Sequence, residues 1–228
     1  MRIYFIRHAQ SMNNALQQQT NSRFGRLADP DLTTIGRQQA EVLSAFLSTS
    51  GDFLPVDVLY CSLMQRAIQT ALPVAASLGL APHGLYDSHE SGGLYLDDVA
   101  TSEPVGQPGT PPEELRRRYP ALILPEDLNA DGWWSRPYET VAERVERARR
   151  LVAYLREVHG SRNQSLALIS HQGFFTHFFF ALLGMERPAG FWFTLNNISL
   201  TCLDVTGDRV NMVFMNRMDH VRPELWTW

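Results

Sequence analysis

Short apolar runs alternate along this chain with longer stretches in which apolar residues return every three or four positions. Residues 3–6 (Ile3-Tyr4-Phe5-Ile6), 56–61 and 166–169 are of the first kind, rich in β-branched and aromatic side chains, and they predict strands of a sheet covered on two faces. The second kind predicts helices. Thr33 or Thr34 can cap one that runs to about Leu47, with Ala40, Leu43 and Leu47 on one face. A longer helix spans 139–159, where Val141, Val145, Ala148, Val152 and Leu155 repeat at helical spacing and Gly160 ends it; Arg147, Arg149 and Arg150 then read as its solvated face. Residues 174–183 are apolar nearly all round, as in a buried helix, and are too few to span a bilayer. Strands at about 200–205 and 210–215, joined through Thr206-Gly207-Asp208, predict a hairpin at a sheet edge. These elements describe an α/β chain.

The chemistry collects where the strands end. The first strand runs into Arg7-His8-Ala9-Gln10-Ser11, and the strand at 165–170 runs into His171-Gln172-Gly173. Ligands of open α/β sheets bind beyond the carboxyl ends of the strands, so two histidines there predict a site. Arg7 beside His8 suits a phosphate or carboxylate, which a guanidinium clamps bidentately. A helix begins near Ser62, after the 56–61 strand, and Arg66 falls in its first turn, where a cation opposes the helix dipole unless an anion binds with it.

Taken in order, Arg7-His8-Ala9-Gln10-Ser11 with Asn14, Leu32-Thr33 with Gly36, Ser62 with Arg66-Ala67 and Gln69-Thr70-Ala71, and Ser170-His171 resemble the motifs of the histidine phosphatase superfamily, the phosphoglycerate mutase-like proteins. The resemblance covers nearly the whole chain. It implies a three-layer α/β/α sandwich with a mostly parallel central sheet, an antiparallel edge and a cap-like insertion. The expected organisation is one domain over 1–228 with the insertion at about 91–138. The resemblance also implies roles: His8 as the nucleophile that takes the phosphoryl group, Arg7, Arg66 and a protonated His171 on its oxygens, and Asn14 in support. Gln172 is counted with the substrate-binding residues. In Asp87-Ser88-His89-Glu90-Ser91-Gly92-Gly93, Glu90 is the expected proton donor, with Asp87 as the rival. Two positions depart from the usual pattern: Ala9 and Gln172 stand where glycine is common, and Gly173 follows one residue late.

The residue types fit this chemistry. A neutral imidazole is a usable nucleophile near pH 7, and phosphoryl transfer is catalysed mainly by positioning and by fixed donors on the equatorial oxygens. Other chemistries fit less well. Cys61 and Arg66 are one residue too close for a cysteine-phosphatase loop, so Cys61 reads as a buried strand residue. No His-Glu-x-x-His zinc signature, P-loop or dinucleotide fingerprint is present, and neither a metal nor a cofactor is expected.

Composition narrows the class. At 228 residues, 44% of them hydrophobic, the chain can bury a substantial core. All twenty basic residues are arginine, which excludes Schiff-base lysines, and the net charge of -4 gives no support for nucleic acid as a partner. Two cysteines form no disulfide framework, the N-terminus enters a strand at once rather than a signal peptide, and a cytoplasmic location is expected. The expected partner is a small phosphorylated substrate, with no membrane and no nucleic acid; a homodimer is left open.

Between Glu90 and Glu139 the texture turns to glycine, proline, acid and tryptophan, which reads as a cap over the pocket, with Trp133 and Trp134 as a wall for an organic leaving group. From Ser91 to Leu115 there is no arginine, while Asp97, Asp98, Glu103, Glu113 and Glu114 are acidic. Arg116-Arg117-Arg118 point in different directions on a helix and read as solvated. Such a rim suits a bisphosphorylated acid poorly. A phosphomonoester hydrolase is therefore expected, ahead of a cofactor-dependent phosphoglycerate mutase and of a non-catalytic phospho-ligand binding protein.

Overall fold

The computed structural model describes residues 1–22, 24–51 and 53–228. Its elements in chain order are β1 (Arg2–Arg7), α1 (Met12–Thr20), α2 (Thr34–Thr49), β2 (Val58–Ser62), α3 (Gln65–Leu78), β3 (Pro82–Leu85), β4 (Tyr95–Asp97), β5 (Pro104–Gly106), α4 (Pro112–Arg118), α5 (Val141–His159), β6 (Ser165–Ser170), α6 (Gln172–Leu182), β7 (Leu200–Thr206) and β8 (Arg209–Arg217). The main sheet has the order β3-β2-β6-β1-β7-β8, and a separate two-stranded sheet pairs β4 with β5. β3, β2, β6 and β1 are parallel; β7 runs antiparallel to β1 and β8 antiparallel to β7, forming the hairpin edge.

Alternation along the strands builds the layers. Tyr4, Ile6, Leu59, Cys61, Ala167 and Ile169 point to one face and pack with Leu43, Leu47, Ala67 and Ala71 of α2 and α3. Ile3, Phe5, Tyr60, Leu166 and Leu168 point to the other, against Ala148, Leu151, Leu155, Phe174 and Phe178 of α5 and α6. The result is the three-layer α/β/α sandwich with a mostly parallel sheet. Among the described residues no helix is long and apolar enough to cross a membrane.

Register brings the chemistry together. Arg7 on β1 pairs with Ser170 on β6, so His8 and His171 leave neighbouring parallel strands at the same level. The Leu32-Thr33-Gly36 motif supports the loop after His8. Thr33 caps α2 by accepting from the Gly36 amide at 2.9 Å, and its own amide donates to the Gln10 carbonyl at 3.0 Å. A side chain at Gly36 would put its Cβ 2.1 Å from that carbonyl oxygen, so only glycine lets α2 come this close.

Two expectations need correction. Arg147 is not solvated: it is 1% exposed, because Glu139, in the turn before α5, places a carboxylate against it. Arg149 and Arg150 do face solvent. Trp133 and Trp134 do not wall the cavity that Glu90 and Asn14 line; both are buried among Tyr86 and His89. Gly93, at φ +74°, makes room for Trp134, whose ring lies 1.9 Å from where a Cβ would stand. Leu94, Leu115, Tyr119, Leu122 and these indoles join the core on the α2/α3 side, so much of the 91–138 segment is packed structure.

Candidate active site

His8 is held from several directions. Its amide continues the β1 ladder to the Ser170 carbonyl at 2.9 Å, its carbonyl accepts from Asn197 Nδ2 at 2.8 Å, and the next amide, Ala9, donates to Thr70 Oγ1 at 3.0 Å. Nδ1 lies 2.7 Å from the Ala9 carbonyl oxygen, which can only accept, so Nδ1 carries the proton and Nε2 the lone pair. Arg66 Nε donates to that Nε2 at 3.1 Å. Burial, then the charges of Arg66 and Arg7, hold the imidazole well below the ordinary histidine range, so His8 is neutral near pH 7.

The arginines are buried but anchored. Arg7 Nη1 donates to the Leu195 carbonyl and, at 3.2 Å, to Gln172 Oε1, while its Nε has no partner. Burial lowers Arg7 to about 10, which leaves it charged at neutral pH. Arg66, in the first turn of α3, has Asp29 4.0 Å from Nη1. Burial raises Asp29 to about 6. His171 lies beside His8, with ring centroids 4.9 Å apart, and neither of its ring nitrogens has a hydrogen-bond partner. The expectation of a protonated His171 does not hold for the ligand-free site, because burial and Arg66 push it well below the ordinary value. In the free site its imidazole is neutral near pH 7, with one N–H to donate.

Glu90 reaches the site by an unusual support. Oε1 accepts from the amides of Ser91 at 2.7 Å and Phe174 at 2.8 Å, and Oε2 from Gly173 at 3.2 Å, so the carboxylate sits on the N-terminus of α6. A Cβ on residue 173 would stand 2.6 Å from Glu90 Oε1. The displaced glycine of the second histidine motif thus lets the carboxylate approach. Asp87 is drawn away by an ion pair with Arg150 at 3.0 Å.

Asn14 Oδ1 accepts from the Ser11 amide at 3.0 Å, closing the capping box of α1. Gln172 Oε1 accepts from both Arg7 and the Leu195 amide, an anchoring geometry for the arginine. Asn14 and Glu90, with Asn13, Gln17, Arg26 and Tyr95, line a cavity of about 230 Å³. A larger, more apolar cavity of about 490 Å³ lies beside β3, lined by Tyr60, His83, Tyr154 and Asp87, and of the candidate residues only that rival acid opens into it.

Residues from outside the motifs complete the site. Arg147 Nε and Nη2 donate to Glu139 at 2.6 and 2.8 Å, and its Nη1 donates to the carbonyls of Asp87 at 2.8 Å and His89 at 2.9 Å. Glu139 Oε2 accepts from the Gly92 amide at 3.2 Å. The pair therefore clamps the backbone on both sides of Glu90. Asp29, Asn197 and Glu139 sit in loops without periodicity, and the only sequence signal available was an acid next to a helix start.

A family model described as the histidine phosphatase superfamily (branch 1) matches residues 3–92 and 106–218, passing over most of the β4–β5 hairpin. Two proteins of Hydrogenobacter thermophilus that carry the name phosphoserine phosphatase are similar to this chain. One is 26% identical over 226 residues, covering 97% of this chain and 98% of that protein. The other is 25% identical over 231 residues, covering 97% and 94%. Among solved structures, the alpha-ribazole phosphatase of Shigella flexneri has the same fold, with a TM-score of 0.65 at 21% identity over 95% of this chain and 96% of that one. So does a variant of phosphoserine phosphatase from Entamoeba histolytica in complex with phosphoserine, with a TM-score of 0.63 at 21% identity over 97% and 99%.

Proposed function

Because the chain belongs to the histidine phosphatase superfamily (branch 1), we propose that it hydrolyses phosphomonoesters of a small metabolite, without a metal, through a phosphohistidine formed on His8. The observation that carries this reading is the fixed tautomer of His8, with its lone pair on Nε2 beside the Arg66 guanidinium. The buried charges of Arg7 and Arg66 supply the electrostatics that phosphoryl transfer needs.

His8 Nε2 attacks phosphorus in line while the ester P–O bond breaks, and the departing oxygen takes a proton from Glu90. The Arg66 N–H that had been on Nε2 turns to a phosphoryl oxygen. Arg7 Nε and the His171 N–H, both without partners in the free site, take further oxygens. Water then attacks phospho-His8, gives its proton to Glu90, and releases inorganic phosphate with His8 neutral again. Asn14 supports the phosphate, Gln172 holds Arg7, and the 91–138 segment acts as the cap, bringing Tyr95 to the cavity mouth.

The test is release of phosphate from a chromogenic aryl phosphate in the presence of a chelator, beside a His8→Ala control. Release that requires His8 supports the reading. No release from the intact protein overturns it and directs attention to a mutase, assayed with 3-phosphoglycerate and a bisphosphorylated primer.

A further inference from the structure

Resting on that reading, we propose that Arg26, stacked on Tyr95, is a subsite for a carboxylate on the leaving group, which makes the substrate a small phosphorylated acid. The Arg26 guanidinium carbon lies 4.0 Å from the centroid of the Tyr95 ring, and both residues line the cavity that Glu90 and Asn14 share. Arg26 is half-buried, and among the described residues it has no acidic partner within ion-pair distance. Its charge is felt at the phosphate site, since it helps lower Arg66.

The loop that carries Arg26 is built to hold it there. Asn13 Nδ2 donates to the Leu27 carbonyl at 2.7 Å, and the Leu27 amide donates back to Asn13 Oδ1 at 2.9 Å. Gly25 turns the chain just before, at φ +83°, a conformation that favours glycine. Tyr95 comes from β4, where it also packs edge-on to Tyr138 at 4.7 Å, so the aromatic platform is fixed before a ligand arrives.

The chemistry of the cavity selects the ligand. A guanidinium whose face is stacked keeps its edge free for bidentate hydrogen bonds, the geometry of a carboxylate. Among the described residues that line the cavity, Arg26 is the one cation and Glu90 the one acid, beside neutral groups such as Asn13, Gln17 and Tyr95. A single guanidinium edge of this kind matches a carboxylate. A volume of about 230 Å³ is below the usual range for drug-sized ligands, which fits a leaving group of a few carbon atoms rather than a nucleoside.

The experiment compares matched substrates. O-Phosphoserine differs from phosphoethanolamine by its carboxylate, and 3-phosphoglycerate stands in the same relation to glycerol 3-phosphate, which carries an alcohol there. The wild-type protein is expected to prefer the acid of each pair by about tenfold or more in kcat/KM, and Arg26→Gln to abolish the preference by raising KM for the acids. Arg26→Gln should lose at least about fivefold more kcat/KM on the acids than on an aryl phosphate, and Arg26→Lys should restore only part of the preference, having lost the planar fork. Equal rates for acid and neutral partners in the wild type, or an equal loss on all substrates in Arg26→Gln, would overturn the proposal. Failure of the wild type to hydrolyse even the aryl phosphate would instead overturn the phosphatase reading beneath it.

Discussion

Replacing Arg147 with methionine is expected to be the most damaging single change outside the phosphate site. The side chain makes four hydrogen bonds, two of them to the carboxylate of Glu139, and the two partners are each 1% exposed. Methionine fills most of the volume, so the loss is electrostatic: Glu139 is left as a buried charge, and removing one partner of such a pair costs about 3–5 kcal/mol. Burial works against the Glu139 carboxylate, but Arg147 and then His89 outweigh it and hold the group well below the usual carboxylate range. The pair's stabilisation is thus complete at neutral pH and is lost only in strong acid. Urea denaturation at pH 7.5, followed by the fluorescence of the five tryptophans, measures the effect. Kinetics give a second readout. Arg147 holds the carbonyls of Asp87 and His89 just before Glu90, so hydrolysis of an alkyl phosphate, whose leaving group needs a proton, should fall much further than that of an activated aryl phosphate. Adding Glu139→Gln should recover part of the stability by removing the orphaned charge. A stability loss under about 1 kcal/mol, with both substrates slowed equally, would refute the clamp.

Two further outcomes follow from the geometry. Gly173→Ala should still fold, because what it displaces is the end of a side chain rather than backbone, yet slow alkyl phosphate hydrolysis by about tenfold or more; unchanged turnover would mean that Glu90 is not the acid. Stability should fall as pH drops below about 6.5, since burial holds His89, His177 and His220 near 4 and His8 and His171 well below the ordinary histidine range, whereas the unfolded histidines protonate. Asp29, raised to about 6, works in the opposite direction as a single group, so urea midpoints that stay flat from pH 7 to 5 would contradict the neutral histidines.

The layers, and the gathering of Arg7, His8, Arg66 and His171 at the strand ends, were legible because each lies close to a local signal. Apolar runs two-faced enough to be central strands end directly in Arg7-His8 and in His171, and Arg66 betrays itself by occupying a helix start that disfavours cations. The buried face of α5 was not legible in the same way. Its apolar repeat begins at Val141, which is in fact 55% exposed, while Arg144 and Arg147 turn inward toward Glu139. Periodicity assumes that charge seeks water, and only the fold reveals a carboxylate waiting at the helix start. Trp133 and Trp134 illustrate a related limit. Their size said that they would be covered, but the cover is Gly93 and Gly109, distant glycines whose missing side chains leave the space. The mouth of the site had the same ambiguity, for its cation, Arg26, comes from the loop after α1 rather than from the acidic segment beyond Glu90.

The most direct test of the central claim is to find the phosphate on the enzyme. The protein would be mixed with substrate, denatured in alkali to preserve phosphohistidine, digested and sequenced by mass spectrometry. The expected result is a phosphoryl group on the His8 imidazole, transient in the wild type and longer-lived in Glu90→Gln, which slows both its formation and its hydrolysis. Steady turnover with His8 unmodified, or with phosphate on another side chain, would contradict it.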